Sequence, residues 1–250
     1  MNGSVFFLAE LTSYLKRSKT AGEAVNFIPG QHTYRLVFDF ADGSEICDPK
    51  AWCGRLLKDN AVKFCLYLNF DKDKAQDAGF ANAGAMALIV RYEDGRTTCW
   101  HSYWEFDKLR SKWLVTSKER ILEGAPDNWP VYEDPTMNLK KALLKISDLA
   151  RKISCDNFAE IFDKAYDILI DEELPPAPEY IRDSNVKLEG EALRLFVASS
   201  VADVFGGMGS WNDCPEGMAD EVGLHDVYRQ LSDELYTQIR KATLYALNAE

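Results

Sequence analysis

Apolar positions recur along this chain with two periods, and the change between them divides it. Spacing near 3.6 residues marks a helix face, and strict alternation marks a strand. Phe7, Leu8, Leu11 and Leu15 lie on one face of a helix predicted over roughly Ser4 to Lys19, with basic residues at its end. Alternation then takes over. Tyr34, Leu36, Phe38 and Phe40 lead into Asp42-Gly43, and Ser44 to Cys47 returns. This predicts a hairpin on a two-residue type I′ turn, pairing Phe40 with Glu45 and Phe38 with Cys47. Asp48-Pro49 reads as the cap and first position of a short helix through Leu57. Val62, Phe64, Leu66, Leu68 and Phe70 then form one face of a strand, with Lys63, Cys65, Tyr67 and Asn69 on the other. A second hairpin turns on Asp94-Gly95. Its register sets Tyr92, Val90, Leu88 and Met86 opposite Thr97, Cys99, His101 and Tyr103, with Ile89 meeting Trp100 on the other face.

The remaining pattern is helical. Leu139, Leu143, Ile146, Ala150 and Ile153 mark one helix, and Phe158, Ile161, Phe162, Ala165 and Leu169 the next. Leu193, Phe196, Val197, Val201 and Val204 mark a third, which Gly206 and Gly207 stop. Leu224, Val227, Tyr228, Leu231, Leu235, Ile239 and Ala242 mark a fourth. Between them, Leu174-Pro175-Pro176-Ala177-Pro178 is extended and irregular. The expectation is an α+β fold: an antiparallel sheet of two Asp-Gly hairpins plus one further strand, packed by a C-terminal helical half. It forms one domain over residues 1–250, with a sheet-containing part at 1–135, a helical part at 136–250 and a Pro-rich break at 174–178.

Composition changes this picture little, and charge changes it more. The 250 residues are 46% hydrophobic and 28% charged, ordinary for a globular chain. A chain of this size buries about three quarters of its unfolded surface, so its core needs no disulfide or metal. Residues 1–155 carry 22 Lys and Arg against 20 Asp and Glu, whereas residues 156–250 carry 7 against 20. The net charge is therefore +2 in one part and −13 in the other, out of −11 overall. A strongly acidic half disfavours nucleic-acid phosphate and favours a basic protein partner. It also serves simply to solvate helices. The first residues lack a basic segment and their apolar run is too short for a signal peptide, and no later run approaches the ~20 residues of a membrane span. Six cysteines show no metal-ligand spacing, so the expectation is reduced thiols, a cytoplasmic location and no membrane, metal or cofactor.

Four constellations carry candidate chemistry. Phe205-Gly206-Gly207-Met208-Gly209-Ser210-Trp211-Asn212-Asp213 combines conformational freedom, an indole and short polar side chains. Its amides are suited to an anion nest, but it follows a helix and lacks the lysine of a P-loop. Gly207, Gly209, Ser210, Trp211, Asn212 and Asp213 are the binding candidates, set against a helix stop whose Trp211 fills the core. His101, Tyr103 and Trp104 are an alternative aromatic pocket with a titrating imidazole, unless His101 is a core residue on an apolar strand face. Ser210, Asp213, Cys214 and His225 hold the groups of a hydrolase, without a nucleophile elbow. Asp71 to Asp77 superficially resembles a calcium loop, but Ala75, Gln76 and Asn82 stand where a ligand, a glycine and a glutamate belong. No catalytic residue is assigned.

The nine-residue glycine-tryptophan segment resembles one carried near the C-terminus of uncharacterised bacterial proteins, some of them similar to immunity proteins of toxin systems. The resemblance implies a bacterial interaction protein and transfers no residue roles. Two readings of function follow. One is a non-catalytic protein that binds a basic partner, as an immunity protein or antitoxin does, through Asp163, Asp167, Asp226 and Asp233 of the acidic half. The other is a small-molecule-binding protein or hydrolase-type enzyme with a pocket between sheet and helices.

Overall fold

A computed structural model describes residues 1–69, 75–78, 82, 84–123, 129–173, 176–206 and 208–249. Its strands are β1 (Thr33–Asp39), β2 (Glu45–Ile46), β3 (Ala61–Leu68), β4 (Met86–Tyr92), β5 (Thr97–Asp107) and β6 (Lys112–Ile121). They form one sheet in the order β2-β1-β6-β5-β4-β3. The sheet is mixed, which corrects the antiparallel expectation: β1 runs parallel to β6, and the other pairs are antiparallel. Parallel pairing needs a long crossover, and the chain from β1 to β6 supplies one.

The strand β6 was not expected, and its sequence explains why. Val115, Ser117 and Glu119 follow one another on its inward face, so polarity does not alternate there. Ser117 is buried with no hydrogen-bond partner for its hydroxyl among the described residues, and Glu119 accepts the Ala41 amide at 3.1 Å and the Tyr92 hydroxyl at 3.3 Å. Glu119 thereby ties the central strand to both hairpin turns.

Those turns have three residues rather than two. Gly43 N–H bonds Phe40 O at 3.0 Å and Phe40 N–H bonds Ser44 O at 2.9 Å. Gly95 to Tyr92 and Tyr92 to Arg96 repeat the pattern. Gly43 and Gly95 take φ of +84° and +86°, while Asp42 and Asp94 stay out of the left-handed region. Each Asp instead accepts the amide two residues on, at 2.9 Å. A type I turn closed by a left-handed glycine is the result. Every partner shifts by one: Phe38 faces Ile46, and Leu88 faces Trp100 rather than His101. The shift keeps the large indole of Trp100 on the buried face.

Helices cover that inner face. α1 (Gly3–Ala21) begins where Asn2 Oδ1 accepts the Ser4 amide at 2.9 Å. α2 (Pro49–Lys58) is capped by Asp48 on the Lys50 and Ala51 amides, as Asp48-Pro49 predicts. Trp52 stacks on Phe38 at 4.2 Å, and Trp100 meets both rings on edge. Beyond lies a bundle of α3 (Thr136–Lys152), α4 (Asp156–Ile170), α6 (Gly190–Ala202) and α8 (His225–Asn248), with α5 (Glu179–Arg182) and α7 (Cys214–Glu221) at its periphery. α8 packs on α3 and α6 and also on β3, so its long apolar stripe serves both layers. The third expected helix, α6, ends at Ala202, before the glycines. Asp203 leaves the helix and turns its carboxylate to Arg240 on α8, Oδ2 to Nη1 2.7 Å, with both side chains buried. The stretch between the third and fourth expected helices contains α7. Of the Pro-rich break, Leu174 and Pro175 lie outside the described residues.

Candidate functional site

The glycine-tryptophan segment is closed on itself. Trp211 is fully buried, ringed by Phe158, Phe162 and Tyr228 at 5.2–5.3 Å between centroids. Its Nε1–H bonds Ser232 Oγ at 2.7 Å, and its carbonyl accepts the Tyr228 hydroxyl. Asn212 Oδ1 accepts from the Gly206 amide at 2.9 Å and from Ser210 Oγ at 2.7 Å, and its Nδ2 donates to Ala75 O at 3.2 Å. Asp213 Oδ2 accepts the Gly209 amide at 2.9 Å. The Gly206 and Gly209 amides, two that an anion nest would use, are thus taken by the loop's own side chains. Gly207 lies outside the described residues.

Strand alternation separates the aromatic pocket candidates, and the register shift decides which face each takes. Trp104 lies on the helix-covered face, edge-on to Phe7 at 5.8 Å and Trp113 at 5.9 Å. His101 and Tyr103 lie on the outer face, because neighbours on a strand point oppositely. His101 is therefore not opposite Leu88 on the apolar face, as its expected register required. Burial, joined by the Arg120 guanidinium, holds its imidazole below the ordinary histidine range, which favours the neutral form. Tyr103 is flanked by Arg120 Nη2 at 3.3 Å and by Lys118 Nζ, 5.7 Å from its ring centre.

The hydrolase groups have other partners. His225 opens α8 and contacts Glu216 Oε1 at 3.2 Å, which also takes Arg229 Nε at 3.0 Å. Ser210 donates to Asn212, and Cys214 is an exposed free thiol. Of the calcium-like segment, residues 71–74 lie outside the described residues. Among the described residues, no group of three or more His, Cys, Asp or Glu could hold a metal ion. None of the described helices is long and apolar enough to cross a membrane.

The acidic half divides into paired and open carboxylates. Asp163 accepts from Ser147 and is bridged by Arg151. Burial raises its carboxyl, but these hydrogen bonds bring it below the usual range. Asp167, Asp226 and Asp233 are exposed, as are Asp171, Glu172 and Glu173 just beyond α4.

A cleft of about 590 Å³ opens where sheet and helices meet. Lys16, Lys19 and Thr20 of α1, Val62, Lys63 and Phe64 of β3, residues 129–132 and the end of α8 line it. Three lysines converge there, and no Asp or Glu is among the lining residues described. Lys63 Nζ lies 6.0 Å and the Arg91 guanidinium 5.4 Å from the Trp129 ring. Tyr132 donates to Leu66 O at 3.1 Å, and Lys16 Nζ to Leu247 O at 2.8 Å. Sequence reasoning missed this cleft. Its signals were the basic end of α1 and a lysine on the polar face of β3, and only packing brings the two together.

No protein-family model matches this chain, and comparison with curated proteins and with solved structures finds no match either.

Proposed function

We propose that this chain is a non-catalytic binding protein whose ligand is anionic and occupies the cleft between β3, the ends of α1 and α8, and residues 129–132. One observation carries this: three lysines from two elements line one concavity with no carboxylate among its described walls, in a protein of net charge −11. Converging ammonium groups raise the local potential and select against cations. Each exposed pair contributes roughly 0.2–1 kcal/mol, so charge supplies selectivity, and the walls of Trp129 and Tyr132 supply contact area. The test is calorimetry at low ionic strength with a panel of anions running from citrate and pyrophosphate to glutamate-rich peptides. At least one should bind saturably, and Lys19→Glu with Lys63→Glu should weaken it about 10-fold or more. No saturable binding, or equal binding by the double variant, would overturn the reading.

A second reading assigns binding of a basic protein to the acidic half, with an immunity-type role as one form of it. Its support is that Arg194 and Arg240, two of that half's seven cations, are turned inward. Arg194 bonds the carbonyls of Ile168 and Asp171, and Arg240 bonds Asp203. The acids at Asp167, Asp226 and Asp233 thus face solvent with few cations among them. Reversing these three to lysine should abolish binding of a lysine-rich peptide, and unchanged affinity would discard this reading.

A further inference from the structure

Resting on the cleft as the binding site, we infer that its occupant is a short acidic peptide in extended conformation, added as a strand along the open edge of β3. The edge is half closed already. Asn248 Oδ1 accepts the Leu66 amide at 2.9 Å and its Nδ2 donates to Leu66 O at 2.8 Å, so one carboxamide imitates a paired peptide unit. Outward-facing main-chain groups recur every second residue of an antiparallel edge strand. Phe64 therefore presents its N–H and C=O in the same direction as Leu66, away from β4. That direction is into the cleft, since Val62, Lys63 and Phe64 are among its walls. Among the described residues, nothing does for Phe64 what Asn248 does for Leu66.

An exposed strand edge takes a further strand through main-chain hydrogen bonds, and flanking pockets then choose the side chains. Here the flanks are cationic on both sides of the sheet plane. Lys16 and Lys19 come from α1, which covers the inner face, and Lys63 comes from the outer face of β3 together with Trp129. Successive side chains of an added strand point to alternate faces. Carboxylates at neighbouring positions of the peptide thus meet lysines on both sides. A compact anion such as phosphate satisfies the lysines and leaves the Phe64 groups unused, and this difference separates the two ligand classes.

The probe is a fluorescent hexapeptide of four consecutive Glu flanked by Val, which sets carboxylates on both faces of a strand, measured by anisotropy against the full chain, beside the same peptide N-methylated at alternate amides. The expected result is saturable binding, weakened about 10-fold or more by the register of N-methylation that removes the paired N–H groups. Lys19→Glu with Lys63→Glu should weaken it similarly, and hydrogen exchange at the Phe64 amide should slow on binding. If pyrophosphate binds in a lysine-dependent way while N-methylation leaves peptide affinity and Phe64 exchange unchanged, strand addition is wrong and the anionic cleft stands. If neither peptide nor pyrophosphate binds, both are wrong. Circular dichroism of the double variant separates lost binding from lost fold, and exchange at Phe64 in the unmutated chain tests the edge independently of any substitution.

Discussion

Trp211 shows at the level of one residue how a candidate for recognition becomes a part of the core. Its indole is ringed by three aromatic side chains and bonded to Ser232. Trp211→Ala should cost about 3–5 kcal/mol of stability through the cavity it leaves. Trp211→Phe keeps much of the ring packing and loses one hydrogen bond, at about 1–2 kcal/mol. Urea unfolding followed by circular dichroism measures both, and equal losses would show that packing is not the main contribution. The glycines beside it were legible as backbone features, and Gly206 and Gly209 do take φ of +120° and +78°. That the Asn212 side chain is fully used was not legible, because one of its partners, Ala75, lies 137 residues away in sequence. His101 was misplaced for a simpler reason. One added turn residue moved it to the other face of the sheet.

At the scale of elements, the edge of β3 is managed at Leu66 by the Asn248 carboxamide at the end of α8, with the Tyr132 hydroxyl sharing the carbonyl. Removing the clamp in Asn248→Ala leaves the Leu66 amide and carbonyl with one fewer partner each, which costs about 1–3 kcal/mol. Hydrogen exchange at the Leu66 amide should accelerate in this variant while exchange in central β5 holds. Unchanged exchange at Leu66 would mean that the carboxamide is not what protects the edge. Most helices, and strands β1, β3 and β4, could be read from periodicity because each has an apolar face, while β2 and β5 were legible as the returns from the two Asp-Gly turns. The strand β6 could not. Its inward Ser117 and Glu119 interrupt the apolar face, and Glu119 is satisfied by groups on distant elements, a compensation that only the assembled sheet supplies.

For the molecule as a whole, the Asp203–Arg240 pair joins the end of α6 to the middle of α8 inside the core. Burial pushes the Asp203 carboxyl up, but the attraction of Arg240, with hydrogen bonds from Arg240 and Asn2, leaves it below its usual value of 3.8. A depressed folded value stabilises the fold fully above the unfolded value, and that contribution disappears as pH falls through the folded one. Stability should therefore be insensitive to this group from neutral pH down to about 4 and fall below it. Asp203→Asn removes the carboxylate that faces the buried Arg240 guanidinium and should cost about 3–5 kcal/mol at pH 7. The same variant should show a shallower loss of stability between pH 4 and 2 in urea titrations. A parallel acid limb in both proteins would show that the pair does not govern acid unfolding.

The sequence by itself determined the periodic elements, the helix cap at Asp48, the glycines that close two turns and the uneven division of charge. All of these depend on neighbours within a few residues or on simple counting. Tertiary structure alone decided the mixed order of the sheet, the face on which His101 lies, the burial of Trp211, and the meeting of Lys16 and Lys19 with Lys63. Each depends on contacts between elements remote in sequence, where a one-residue change in register or a single buried partner outweighs local propensity.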